Sequence, residues 1–155
     1  MKTHLKILIS TILLLFATNQ IIAQDATKAH KDSLEIVVKK YYDLNLKIFQ
    51  TISTIKDIDR VFELFTDDFT YIHPKYGGTY TRQDLYNGYV RNQKNGRYDG
   101  KYINIKVLKK IIGLNGIVVQ RMYVEKEGDG IKEGEPQMTL FEFKKGKISK
   151  IFEYW

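Results

Sequence analysis

His73 closes a short run of aromatic and β-branched residues, Phe69-Thr70-Tyr71-Ile72-His73, immediately before Pro74. An imidazole with an ordinary pKa of about 6.5 accepts a proton near neutral pH. At the end of a strand facing a pocket it can therefore serve as a general base, for proton abstraction next to a carbonyl or for a dehydration. In a strand, residues two apart share a face, so Tyr71 is the partner this spacing offers. The same histidine also fits a structural role, hydrogen-bonded to neighbouring backbone or to a tyrosine. Of the other two histidines, His4 lies in the extreme N-terminal segment and His30 in a polar lead-in.

The chain holds 11 tyrosines. Each joins an apolar ring to one polar tip, which suits an apolar or aromatic ligand. Tyr41, on a helical pattern, is one candidate to line a pocket. Arg121 and Tyr123 share a strand face in the same way as Tyr71 and His73. An inward Arg121 favours an anionic or carbonyl-bearing ligand and an outward one is simply solvated; the spacing leaves both open.

Other chemistries lack their residues. The absence of cysteine removes thiol nucleophiles, disulfides and a lipid-modified start. There is no Gly-x-Ser-x-Gly elbow, and Gly128-Asp129-Gly130 sits in a hairpin loop, not ahead of a phosphate-cradling helix. With no His/Cys cluster and no acids at ligand spacing, neither a metal nor a cofactor is expected. Lys106, Lys109 and Lys110, and Lys144, Lys145, Lys147 and Lys150, gather near sheet edges, where lysines block unwanted strand pairing. The formal charge of +7 is moderate and no nucleic-acid motif accompanies it, so no nucleic-acid partner is expected.

The elements that must position these side chains follow from periodicity. Lys2 and Lys6 precede the apolar run Ile7 to Phe16, and a more polar stretch ends near Ala23. This is the layout of a secretory signal over 1–24, with an apolar core too short to span a bilayer. The chain is expected to be exported to the periplasm or beyond, leaving one domain over 25–155 and no stable membrane span. Within it, Asp32-Ser33-Leu34-Glu35 has the form of a capping box, and Leu34, Val37, Val38, Tyr41, Leu44, Ile48, Phe49 and Ile52 recur at helical spacing, predicting a helix over 33–52. A second helix is expected from Asp57, with Ile58, Val61, Phe62 and Phe65 on one face and Thr66-Asp67-Asp68 ending it. A strand is expected over 69–73, and a third helix from Thr81-Arg82-Gln83-Asp84. Two hairpins follow, 102–112 with 117–127 and 138–143 with 148–154, separated by a glycine-rich loop over 128–136. Helices followed by antiparallel strands argue an α+β domain.

Two stretches carry a resemblance: Asp57 to Pro74, and the closing Phe141-Glu142-Phe143-Lys144-Lys145-Gly146-Lys147-Ile148. With a Gly-Gly turn and the third helix between them, they resemble the nuclear transport factor 2-like superfamily of steroid isomerases, scytalone dehydratase and polyketide cyclases. The resemblance covers nearly all of 25–155. It implies a cone-shaped fold, N-terminal helices on a curved antiparallel sheet, an apolar pocket open at one end, and a homodimer packed through the outer sheet face. It places His73-Pro74 where the isomerases carry the Asp-Pro of their general base. It places Thr139 where they hold a protonated aspartic acid, a departure that argues against true steroid isomerase activity. Strand alternation sets Thr139 and Phe141 on one face, facing the implied pocket. The function expected is binding of a small apolar or aromatic molecule without turnover. The alternative is an isomerase, dehydratase or cyclase with His73 as base and Tyr71 polarising a carbonyl.

Overall fold

Helix α1 owes its buried stripe to Leu34, Val38, Tyr41, Tyr42, Asn45 and Ile48, which recur every three or four residues as an amphipathic helix requires. The computed structural model describes residues 27–155, and the signal expected over 1–24 lies outside them. Along the chain come α1 (27–48), α2 (Ile55–Phe62), β1 (Phe65–His73), a 3₁₀ turn (Pro74–Tyr76), β2 (Gly78–Thr81), α3 (Arg82–Lys94), β3 (Tyr102–Ile112), β4 (Gly116–Glu127), β5 (Gly130–Glu133), β6 (Gln137–Lys144) and β7 (Lys147–Glu153).

The helix starts are chemical. Asp84 N–H donates to Thr81 Oγ1 (3.1 Å) while Thr81 N–H donates to Asp84 Oδ2 (3.0 Å), the reciprocal box expected there. Asp57 plays the same part for α2, accepting from Thr54 N–H at 2.9 Å. Lys47, 2.6 Å from its other oxygen, helps hold the Asp57 carboxyl below its ordinary pKa. Helix α1 departs from expectation at both ends. It already runs at residue 27, so Asp32 and Glu35 lie inside it. It stops at 48 because the Phe49 carbonyl accepts from Gly100 N–H (2.9 Å) and not from a further helical turn, while Gln50 Nε2 donates to Tyr102 O (3.0 Å).

The helices pack on one mixed, curved sheet in the order β2-β1-β7-β6-β4-β3, with β5 paired to β4. The sheet is not wholly antiparallel: β1 runs parallel to β7, with a register shift between Phe65 and Thr70. This pairing extends β1 back to Phe65, which was expected on the α2 face, and draws Thr66-Asp67-Asp68 into the strand despite their poor strand propensity. Lys144 Nζ donates to Asp68 at 2.7 Å, fixing that charged end. The glycine-rich segment expected as a loop turns tightly at Gly128, whose φ of +57° suits glycine, and contributes β5.

Between helices and sheet lies the core, centred on Ile48, Ile58, Val61, Phe65, Phe141, Ile148 and Ile151, each at most 2% exposed. On the opposite face, direct partners make an apolar row across five strands: Ile111, Val118, Leu140, Phe152 and Ile72. Among the described residues no helix is long and apolar enough to cross a membrane.

Candidate functional site

The inner faces of β1, β4 and β7, together with α1 and α3, form the walls of an open-mouthed cavity of about 550 Å³, within the ordinary range for small-molecule sites. Its walls are aromatic. Tyr41 and Phe49 enter from the end of α1, Tyr71 and His73 from β1, Tyr89 from α3, Arg121 and Tyr123 from β4, and Glu153 and Trp155 from β7 and the residues after it. Tyr98 and Tyr102 close one side, each with its ring within 6 Å of Phe49. One wall is pinned by Asn45, whose Oδ1 accepts from Tyr89 Oη (2.6 Å) and whose Nδ2 donates to Tyr41 O (2.9 Å).

Burial raises five of these phenols. Tyr98 and Tyr123 are pushed up to about 12, and Tyr41, Tyr71 and Tyr89 further still. They are neutral O–H groups at physiological pH, able to donate hydrogen bonds but not to serve as bases. Tyr71 is thus a neutral phenol at the cavity wall, beside His73 as the spacing suggested.

The deep end is ionic. Arg121 is inward and only 2% exposed, which decides between the two orientations left open by the sequence. Its guanidinium lies over the Tyr123 ring (4.4 Å), donates through Nη1 to Gln137 Oε1, and sits 3.6 Å from Glu153 Oε2. Glu153, 3% exposed, also accepts from Thr139 Oγ1 (2.6 Å) and Trp155 Nε1 (2.8 Å). Pairing and hydrogen bonding together make such buried charges tolerable.

His73 borders the cavity but is covered. It is 2% exposed, and its ring packs against Tyr76 (4.4 Å between centroids) and edge-on to Trp155 (4.5 Å). Among the described residues neither ring nitrogen has a hydrogen-bond partner, and neither reaches solvent. Burial holds the imidazole below its ordinary 6.5, opposed by the nearby Glu153 charge. A histidine with a depressed folded pKa contributes stability in full above 6.5, and that stability is lost as pH falls through the folded value. Wild type should therefore lose stability relative to His73→Phe between about pH 7.5 and about pH 5, read as urea midpoints. Parallel pH curves for the two proteins would mean that the imidazole is not held neutral in the fold.

Of the residues singled out from the sequence, Tyr41, Tyr71, His73, Arg121 and Tyr123 meet around this cavity. Thr139 and Phe141 share an inward face as expected, yet neither lines it. Thr139 is spent on Glu153, and Phe141 is locked edge-on between Tyr41 (5.4 Å) and Tyr42 (5.7 Å) in the core. Sequence reasoning missed Glu153 and Trp155. The signal for Glu153 was an acid two residues beyond the core residue Ile151, on the face that strand alternation turns inward. His30, placed in the lead-in, belongs to α1, and its Nε2 lies 2.8 Å from Leu114 O. Among the described residues no group of His, Asp or Glu is arranged to hold a metal.

No protein-family model and no curated protein matches the chain. Solved structures do resemble it. Bal32a from a soil-derived mobile gene cassette superposes with a TM-score of 0.57 at 15% identity, covering 81% of this chain and 90% of that one. An NTF-2 like protein of unknown function from Burkholderia xenovorans gives 0.53 at 15% identity, covering 81% and 84%. An LEH-like epoxide hydrolase of M. tuberculosis gives 0.55 at 15% identity, covering 79% and 82%.

Proposed function

This domain has the nuclear transport factor 2-like fold, and from that premise we propose that it is an exported protein that holds a small apolar or aromatic molecule in its cavity. Fold alone does not choose among the functions its relatives carry. The observation that carries the reading is the cavity itself: about 550 Å³, walled by tyrosines, five of them held as neutral phenols by burial, with one buried charge-balanced pair. Flat aromatic walls offer area without flexible side chains to order, which suits a ring-bearing ligand. Export to the periplasm or beyond rests on the signal layout of 1–24. Pairing of two copies is supported by the apolar row on the outer sheet face, where Ile111 is 73% exposed.

Native mass spectrometry of the protein purified from its own host tests both parts. The expected spectrum shows two copies and a retained small-molecule mass. Trp155 is the only tryptophan and borders the cavity, so its fluorescence reports occupancy directly. No retained mass, together with an unchanged Trp155 signal across a panel of small ring compounds, would remove the binding reading.

Turnover with His73 as general base is the second reading, favoured by a neutral imidazole at the cavity wall. It requires Tyr76 or Trp155 to move aside, because both ring nitrogens are covered. The resting arrangement therefore supports holding a ligand ahead of transforming one.

A further inference from the structure

Glu153 is tied down through one oxygen only. Thr139 Oγ1 and Trp155 Nε1 both donate to Oε2, at 2.6 and 2.8 Å, and Arg121 Nη2 lies 3.6 Å from the same atom. Among the described residues no group donates to Oε1. A carboxylate offers about four lone-pair sites, shared between its two oxygens. Oε1 is not among the sealed partnerless side-chain atoms, so it is reached from the cavity and answered there by water or by a ligand. With Oε2 engaged by these three groups, Oε1 is the carboxylate oxygen left to the cavity that Glu153 lines.

The charge around it is already balanced. A cation arriving at Oε1 would come close to the Arg121 guanidinium, and an anion would face the carboxylate itself. What the position accepts at little electrostatic cost is a neutral group with a hydrogen to give.

We propose that Glu153 Oε1 is the specificity contact of the cavity: it selects a neutral ring compound carrying an O–H or N–H donor, whose ring lies among Tyr71, Tyr123 and Trp155. This rests on the reading that the cavity holds a small ligand, and it adds which chemistry that ligand carries.

The test compares para-cresol with its methyl ether, the same ring with and without the donor, by calorimetry on the full domain. The wild type is expected to bind the cresol about tenfold or more tightly, the weight of a hydrogen bond to a charged acceptor. Benzylammonium, a cation of similar size, is expected to bind more weakly than the cresol. In Glu153→Gln the amide oxygen keeps the place of Oε2, since Thr139 and Trp155 both donate there. The NH₂ then replaces Oε1 and turns the acceptor into a donor, so the cresol preference should collapse to within about threefold. Equal wild-type affinities for cresol and ether would overturn the proposal without any variant. So would a preference that survives in a folded Glu153→Gln protein, or tighter binding of benzylammonium. Binding of none of the three probes would instead count against the cavity reading itself, and this proposal would fall with it.

Discussion

Arg121→Leu is expected to cost the domain about 3–5 kcal/mol, because it leaves the Glu153 carboxylate buried without its counter-charge. The side chains of both residues are at most 4% exposed, so water reaches the lost partner's place only through the cavity. The variant also loses the stacking over Tyr123, worth about 2 kcal/mol or more at a desolvated site. The double variant Arg121→Leu/Glu153→Leu should recover much of the loss, since an apolar pair of similar volume is often as stable as a buried ion pair. Urea denaturation of the two variants and the wild type checks this. A single-variant loss below about 1 kcal/mol would place the pair among exposed ion pairs and would contradict the buried ionic end described above.

Phe141→Ala is expected to be about as damaging, again about 3–5 kcal/mol. Phe141 is 0% exposed, and it carries edge-on contacts with two tyrosines of α1. Truncation removes both the apolar burial and those ring contacts, and it leaves a void that rigid neighbours fill only in part. The urea midpoint should fall while the slope of the transition stays near that of wild type. The measurement separates two roles for this residue. A ligand contact would lower affinity with little change in midpoint, whereas a core ring lowers the midpoint first.

The sequence makes some features of this molecule plain because they are local. Thr81 and Asp84 announce α3 through a pattern four residues long, and the turns at Asn115-Gly116 and Gly146 delimit two hairpins. Tyr71 and His73 share a face simply because a strand has a period of two. What escaped is non-local. Phe65 and Thr66-Asp67-Asp68 become strand only because β7, from the other end of the chain, lies alongside. The covering of His73 by Trp155 likewise has no periodic signature. Glu153 was legible in part, as an acid on an inward strand face, but its partners Arg121 and Thr139 come from two other strands. Thr139 and Phe141 were rightly set facing inward. Alternation tells which side of a sheet a residue takes, and not whether the space there is void or already filled.

The parallel pairing of β1 with β7 has a consequence for how the molecule is made. β1 leaves the ribosome well before β7 and finds its first neighbour, β2, within a few residues, but its other flank stays open until the distant β7 has been synthesised. Such long-range closure is entropically expensive and slow. It is also the step that brings Tyr71 and His73 together with Glu153. A nascent or truncated chain lacking β7 therefore exposes an unsatisfied strand edge and lacks the cavity wall that holds Glu153, so assembly of the sheet and closure of the cavity are one event.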